Sequence, residues 1–140
     1  MPTRSATATW KGGLKGQGEF RGQTGLAGQY TFSSRFENGP GSNPEELLAA
    51  AEAACFSMAL SFALEKERYE PTSVDTTAEC SVEKQGAGWK VTRILLRTRV
   101  AAASGDRSRF QAIAQAAMEG CPISTALKGN VQLELDAQLV

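Results

Sequence analysis

Three cysteines and no histidine bound the chemistry open to this chain. Histidine is the usual general base near neutral pH and the commonest zinc ligand, so its absence excludes Ser-His-Asp and Cys-His mechanisms. Cys55, Cys80 and Cys121 form no C-x-x-C pair, which removes a thioredoxin-type motif, and a zinc site would need an unusual carboxylate-rich shell. No metal and no cofactor are expected. The three sulfurs differ in setting. Cys80 stands in register with the apolar face of an amphipathic segment and reads as a small core hydrophobe. Cys55 lies in the middle of a mostly apolar run, where a buried thiol is inert and its pKa raised, so position alone reads it as structural. Cys121 directly precedes Pro122 at a helix start, near orphan amide N–H groups that favour a thiolate. It serves equally well as a break between two helices, and both readings stay open.

The elements that must position these sulfurs belong to one soluble domain spanning residues 1–140. Hydrophobic residues make up 41% of the chain and charged ones 21%, enough for a sizeable core without disulfides. Lys and Arg number 15 against 15 Asp and Glu, and Arg93, Arg97, Arg99, Arg107 and Arg109 are spread out rather than clustered, which argues against nucleic acid. The odd cysteine count fits a reducing compartment, and MPTRSATATWKGG lacks the apolar run of a secretory signal, so a cytoplasmic location is expected. Leu47 to Leu64 carries a single charge, Glu52. It falls at the lower edge of the roughly 20 residues a bilayer span needs and is flanked by acids and bases, so it reads as a buried helix with no membrane partner. A helix apolar nearly all round must be covered all round, which points to a dimer.

The periodicities predict an α+β fold. Ala6, Ala8 and Trp10 alternate with threonines as a strand, and Tyr30, Phe32, Ser34 and Phe36 suggest a second, with Arg35 on its opposite face. After a Gly/Pro break, Asn43-Pro44-Glu45-Glu46 has the capping residue, proline and acids of a helix start, and the long helix runs to about Tyr69. Val74 to Val82 alternates as a strand, Gln85-Gly86-Ala87-Gly88 turns, and Trp89 to Val100 returns, its faces blurring at Leu95 where a bulge is expected. A helix from about Asp106 to Glu119 buries Phe110, Ile113, Ala114, Ala117 and Met118. Gly120 stops it, Pro122 begins a short helix, and Val131 to Leu139 forms the last strand.

Ser34-Arg35-Phe36-Glu37, Asn43-Pro44-Glu45-Glu46-Leu47, Ala53-Ala54-Cys55-Phe56-Ser57-Met58-Ala59-Leu60 and Gly120-Cys121-Pro122-Ile123-Ser124 together resemble the OsmC/Ohr family of bacterial organic hydroperoxide reductases. The resemblance covers nearly the whole chain and is nearer the OsmC branch, because the arginine sits in an S-R-F-E strand close before N-P-E. It implies antiparallel sheets packed around two long helices in an intertwined homodimer. It also implies that Cys55 is the peroxidatic cysteine, Cys121 the resolving one, Arg35 the cation that holds Cys55 as thiolate, and Glu45 the carboxylate that orients Arg35. A sulfenic acid on Cys55 would condense with Cys121 to a disulfide, and an external dithiol, of lipoyl type in the Ohr branch, would reset the enzyme.

The physical logic agrees with that assignment, since a cysteine in an apolar helix is a nucleophile only where a fixed cation offsets desolvation. Arginine, always charged and forked, reaches thiolate, carboxylate and peroxide together. Ten residues separate Glu45 from Cys55, about 15 Å along a helix at ~1.5 Å per residue. Either the helix breaks after its first turn or the arginine bridges the gap with help from another subunit. Glu46 and Glu52 are rivals for the carboxylate role, and Glu45 is preferred by its place in N-P-E. A lining of Phe36, Phe56 and Met58 would favour organic hydroperoxides over hydrogen peroxide, with core packing the alternative for each. Two further readings are a dimeric binding module for a small apolar ligand, with both cysteines merely packed, and a redox sensor using the same disulfide.

Overall fold

The computed structural model describes residues 1–140 and divides into two compact units, Met1–Leu47 and Leu48–Val140. The first begins with an antiparallel meander of β1 (Ala6–Lys11), β2 (Gln17–Gly22) and β3 (Ala27–Tyr30). The Ala6-Ala8-Trp10 alternation forms β1 as expected. Gly18 of β2 pairs with Trp10 on one side and Tyr30 on the other, and the two rings close over it with centroids 5.4 Å apart. A Cβ there would come within 2.7 Å of both rings, so only glycine fits.

The second expected strand is not one. The chain leaves the sheet at Tyr30, and Phe32–Phe36 is a short helix, α1. Its cause is a reciprocal capping box: Ser34 N–H donates to Thr31 Oγ1 at 3.0 Å, and Thr31 N–H donates to Ser34 Oγ at 2.8 Å. These local bonds win over a period-two pattern, and Arg35 therefore stands on a helix. Ser34 also donates through Oγ to Ser42 O at 2.8 Å and accepts at its carbonyl from Asn43 Nδ2 at 3.1 Å, which stitches the Gly/Pro loop back onto α1. Asn43 Oδ1 then accepts from Glu46 N–H at 2.7 Å and opens α2 (Pro44–Lys66), as its N-cap motif predicts.

Helix α2 runs unbroken for 23 residues. It stops before Tyr69 because Arg68 turns left-handed at φ 65°, letting Tyr69 N–H reach back to Leu64 O at 3.0 Å. In the second unit Phe56, Leu60 and Leu64 follow at four-residue spacing and are fully buried. Met58 and Phe62 point outward, 61% and 55% exposed. The helix is long and apolar enough to cross a membrane, yet the chain buries only 22% of its most apolar stretch. The expectation of a wholly buried helix thus holds for one face.

That face packs on a sheet of β4 (Pro71–Gln85), β5 (Gly88–Ala102) and β6 (Gln132–Leu139). β4 and β5 form the predicted hairpin, turning at Gly86 with φ 61°. Its register shifts between Pro71 and Ser73 and between Ser81 and Val82, not at Leu95, which pairs with Glu79. β6 runs parallel to β5, from Arg93↔Gln132 to Val100↔Leu139, so the expected wholly antiparallel sheets are corrected here. The intervening helices return the chain to the end where β5 began, which makes β6 a crossover strand. The crossover consists of a 3-10 turn (Arg107–Arg109), α3 (Phe110–Gly120) and α4 (Pro122–Leu127). The predicted stripe from Phe110 to Met118 is buried in one core with Phe56, Leu60, Leu64, Ile94, Leu96 and Val100, each large side chain contributing about 1.5–3 kcal/mol. Cys80 packs half-buried against that core, as its register predicts. A ladder of hydroxyls ties α2 to the sheet: Ser57 Oγ donates to Thr76 Oγ1 at 2.8 Å, and Thr76 Oγ1 to Thr98 Oγ1 at 2.9 Å.

Candidate active site

The sequence-predicted residues fall into two pairs, one in each unit. In the first unit, α1 and the first turn of α2 bring Arg35 to Glu45. Arg35 Nε donates to Glu45 Oε1 at 2.9 Å and Oε2 at 3.3 Å, and the Glu45 carboxylate is buried while the arginine keeps 38% of its side chain exposed. The guanidinium carbon lies 4.9 Å from the centroid of the Phe36 ring, a cation–π contact. Phe36 and Arg35 line a cavity of about 300 Å³ with Trp10, Leu14, Tyr30 and Phe32. The rival carboxylate Glu46 is exposed and accepts from Ser42 Oγ at 3.2 Å.

In the second unit, the Cys55 thiol of α2 meets the Cys121 thiol at the junction of α3 and α4, within hydrogen-bonding reach. Cys121 is fully buried and its backbone serves both helices. Its N–H donates to Ala117 O at 3.0 Å, closing α3, and its carbonyl accepts from Thr125 N–H at 2.9 Å, opening α4. Both cysteines are thiols. Burial pushes the Cys55 thiol up from its usual range, first by desolvation and then by its hydrogen bond with Cys121; the Ile123 backbone N–H, pointed at the sulfur, pulls the other way. In such a setting a thiolate needs a cation beyond what α2 and α4 supply.

The same contact contains residues that sequence reasoning placed elsewhere or missed. Glu52, a rival for the arginine-orienting role, is fully buried one turn before Cys55, with Oε1 accepting from Ser124 Oγ. Desolvation pushes its carboxyl above the ordinary range. Ser124 carries no signal in the sequence beyond its closeness to Cys121. Of the expected lining residues, Phe56 lies in the core and Met58 on the exposed face. No three His, Cys, Asp or Glu side chains converge on a point that could hold a metal ion.

Two thiols thus stand in contact, one in mid-helix and one at a helix junction, on a mixed α+β frame. The family model described as OsmC-like protein matches residues 37–136. Peroxiredoxin OsmC of Escherichia coli (strain K12) is 45% identical over 134 residues, covering 94% of each chain. Organic hydroperoxide resistance protein OhrB of Bacillus subtilis (strain 168) is 32% identical over 106 residues, 74% of this chain and 75% of that one. The crystal structure of OhrB of Bacillus subtilis matches with a TM-score of 0.69 at 29% identity, covering 95% and 97%. An organic hydroperoxide resistance protein from Elizabethkingia anophelis shares the fold, with a TM-score of 0.78 at 24% identity over 100% and 98%. The chain belongs to the OsmC/Ohr family of cysteine-based peroxidases.

Proposed function

We propose that this chain reduces organic hydroperoxides to alcohols through Cys55 and Cys121. The Cys55 thiolate attacks one peroxide oxygen, the O–O bond breaks, alcohol leaves after taking a proton, and Cys55 becomes a sulfenic acid. Cys121 then attacks that sulfur, forming the disulfide and releasing water. An external dithiol, such as a lipoyl group, reduces the disulfide and is itself oxidised. The observation that carries this reading is the contact between the two thiols across 66 positions of sequence, which a merely packed pair does not require.

Arg35, oriented by Glu45, supplies the cation for the Cys55 thiolate, from this chain or a second copy. The unbroken α2 supports the arrangement in which the arginine spans the gap with help from a second copy. The cavity beside Arg35 and Phe36 takes the alkyl or aryl part of the substrate, which favours organic hydroperoxides over hydrogen peroxide. The protein works as a cytoplasmic homodimer, its second copy covering Met58, Phe62 and the rest of the exposed apolar face of α2.

The experiment is intact-mass and peptide analysis of reduced protein under denaturing quench after one equivalent of cumene hydroperoxide, and separately of hydrogen peroxide. The expected result is a loss of two hydrogens mapped to Cys55 and Cys121, faster with the organic peroxide. Unchanged mass would leave the apolar-ligand module in its place.

A further inference from the structure

Glu52 is a carboxyl that packing does not explain. It is 0% exposed, its Oε1 accepts from Ser124 Oγ, and its Oε2 has no hydrogen-bond partner. A buried carboxyl with an unpaired oxygen is destabilising, and a neutral residue would fill the space at less cost. Its position is specific. Glu52 stands three residues before Cys55 and Ser124 three residues after Cys121, so the carboxyl–hydroxyl contact runs alongside the thiol–thiol contact, one turn along each helix. The titratable groups that act on the Cys55 thiol are Glu52 from its own helix and Cys121 from the head of α4. From α4 the Ile123 amide faces the sulfur, and the Ser124 hydroxyl faces the carboxyl. Desolvation makes that carboxyl hold its proton to higher pH than a solvated glutamate does.

Disulfide formation needs a group of this kind. Cys121 must lose a proton as it attacks the Cys55 sulfenic sulfur, the departing hydroxide must gain one, and the chain has no histidine to mediate. Building on the peroxidase reading above, we propose that Glu52 is the proton carrier of this step, its free Oε2 serving the sulfurs while Ser124 holds Oε1. The carboxyl gives its proton to the sulfenic oxygen as the S–O bond breaks and takes the Cys121 proton as the S–S bond forms. One water leaves, the Cys121 sulfur is oxidised, the Cys55 sulfur is reduced from sulfenic acid to disulfide, and Glu52 ends as it began. The proton circulates internally, so the step draws no base from solvent.

The test separates the two halves of the cycle in full-length reduced protein mixed with one equivalent of cumene hydroperoxide. Sulfenic acid is trapped with dimedone in one series, and disulfide is read by mass in another. Wild-type conversion of sulfenic acid to disulfide should not rise between pH 6 and pH 8, because Glu52 and not hydroxide takes the Cys121 proton. Glu52→Gln keeps the shape and the Ser124 contact but carries no proton. Its sulfenic acid should form within about twofold of the wild-type rate, while its conversion slows by about 100-fold at pH 6 and recovers roughly tenfold per pH unit as hydroxide takes over. Conversion in Glu52→Gln within threefold of wild type, or equal slowing of both steps with an unchanged pH profile, would overturn the proposal alone. Should Glu52→Gln not fold, the wild-type profile decides, because a tenfold rise per pH unit also overturns it. A wild-type protein that gives neither sulfenic acid nor disulfide overturns the peroxidase reading itself.

Discussion

Arg35 grips Glu45 through Nε alone. That one nitrogen donates to both carboxylate oxygens, at 2.9 and 3.3 Å, while the Phe36 ring supports the guanidinium. The two terminal nitrogens stay outside the pair. A fork held at its stem has its open end left for an anion, and that geometry belongs to arginine and not to lysine, whose ammonium is a single point of charge.

Arg35→Lys should therefore fail nearly as badly as Arg35→Ala, each lowering kcat/KM for cumene hydroperoxide by roughly 100-fold. The sign for the thiol is fixed: removing a cation that stabilises the thiolate raises the Cys55 pKa further. Alkylation of Cys55 by iodoacetamide, followed by peptide mass across pH, should shift to higher pH in both variants. Unshifted alkylation in Arg35→Ala would remove the arginine from the thiolate's surroundings.

Cys121→Ser should consume about one equivalent of peroxide and stall, with Cys55 trapped as the dimedone adduct of its sulfenic acid. Continued turnover with dithiol would show that Cys121 does not resolve the intermediate.

Stability should also depend on pH through Glu52. Its folded pKa lies above the ordinary 4.5, so the native state holds this proton more tightly than the unfolded chain. The associated stability is fully present below 4.5 and is lost as pH rises through the folded value. Glu52→Gln removes that loss. Urea unfolding should show the variant gaining on wild type as pH rises through that folded value; a gap independent of pH would mean the buried carboxyl is not protonated preferentially.

Phe56 and Met58 separate packing from assembly. Phe56→Ala should cost about 3–5 kcal/mol in urea unfolding, because the ring is fully buried in the core. Met58→Glu should leave the fold intact and convert a dimer to monomer in sedimentation velocity, because the side chain is exposed on an apolar helix face. A Met58→Glu dimer as tight as wild type would place the second copy elsewhere.

The residues explain which features sequence alone could reveal. The strand at Ala6, the N-cap at Asn43, the Gly86 turn and the stripe from Phe110 to Met118 are set by bonds and periods within a few residues, and each was readable. α1 was not, because Tyr30, Phe32, Ser34 and Phe36 alternate as a strand would, and only the bonds between Thr31 and Ser34 overrule that period. Alternation in β6 marks a strand without stating its direction, which the helical crossover decides. Arg35, Glu45, Cys55 and Cys121 stood out by motif. The burial of Glu52 depends on Ser124, 72 residues further on, and no local pattern records that contact.

The hydroxyl ladder from Ser57 through Thr76 to Thr98 bears on the angular phase of α2. The buried side of the helix, Phe56, Leu60 and Leu64, fixes broadly which face meets the sheet, and the hydroxyl bond adds a directional contact to that packing. Successive residues stand about 100° apart, so a slip of one position would swing Cys55 away from α4. Ser57 is two positions from Cys55, and its bond to the sheet acts as an index pin. Packing and this directional bond together set the bearing of the thiol.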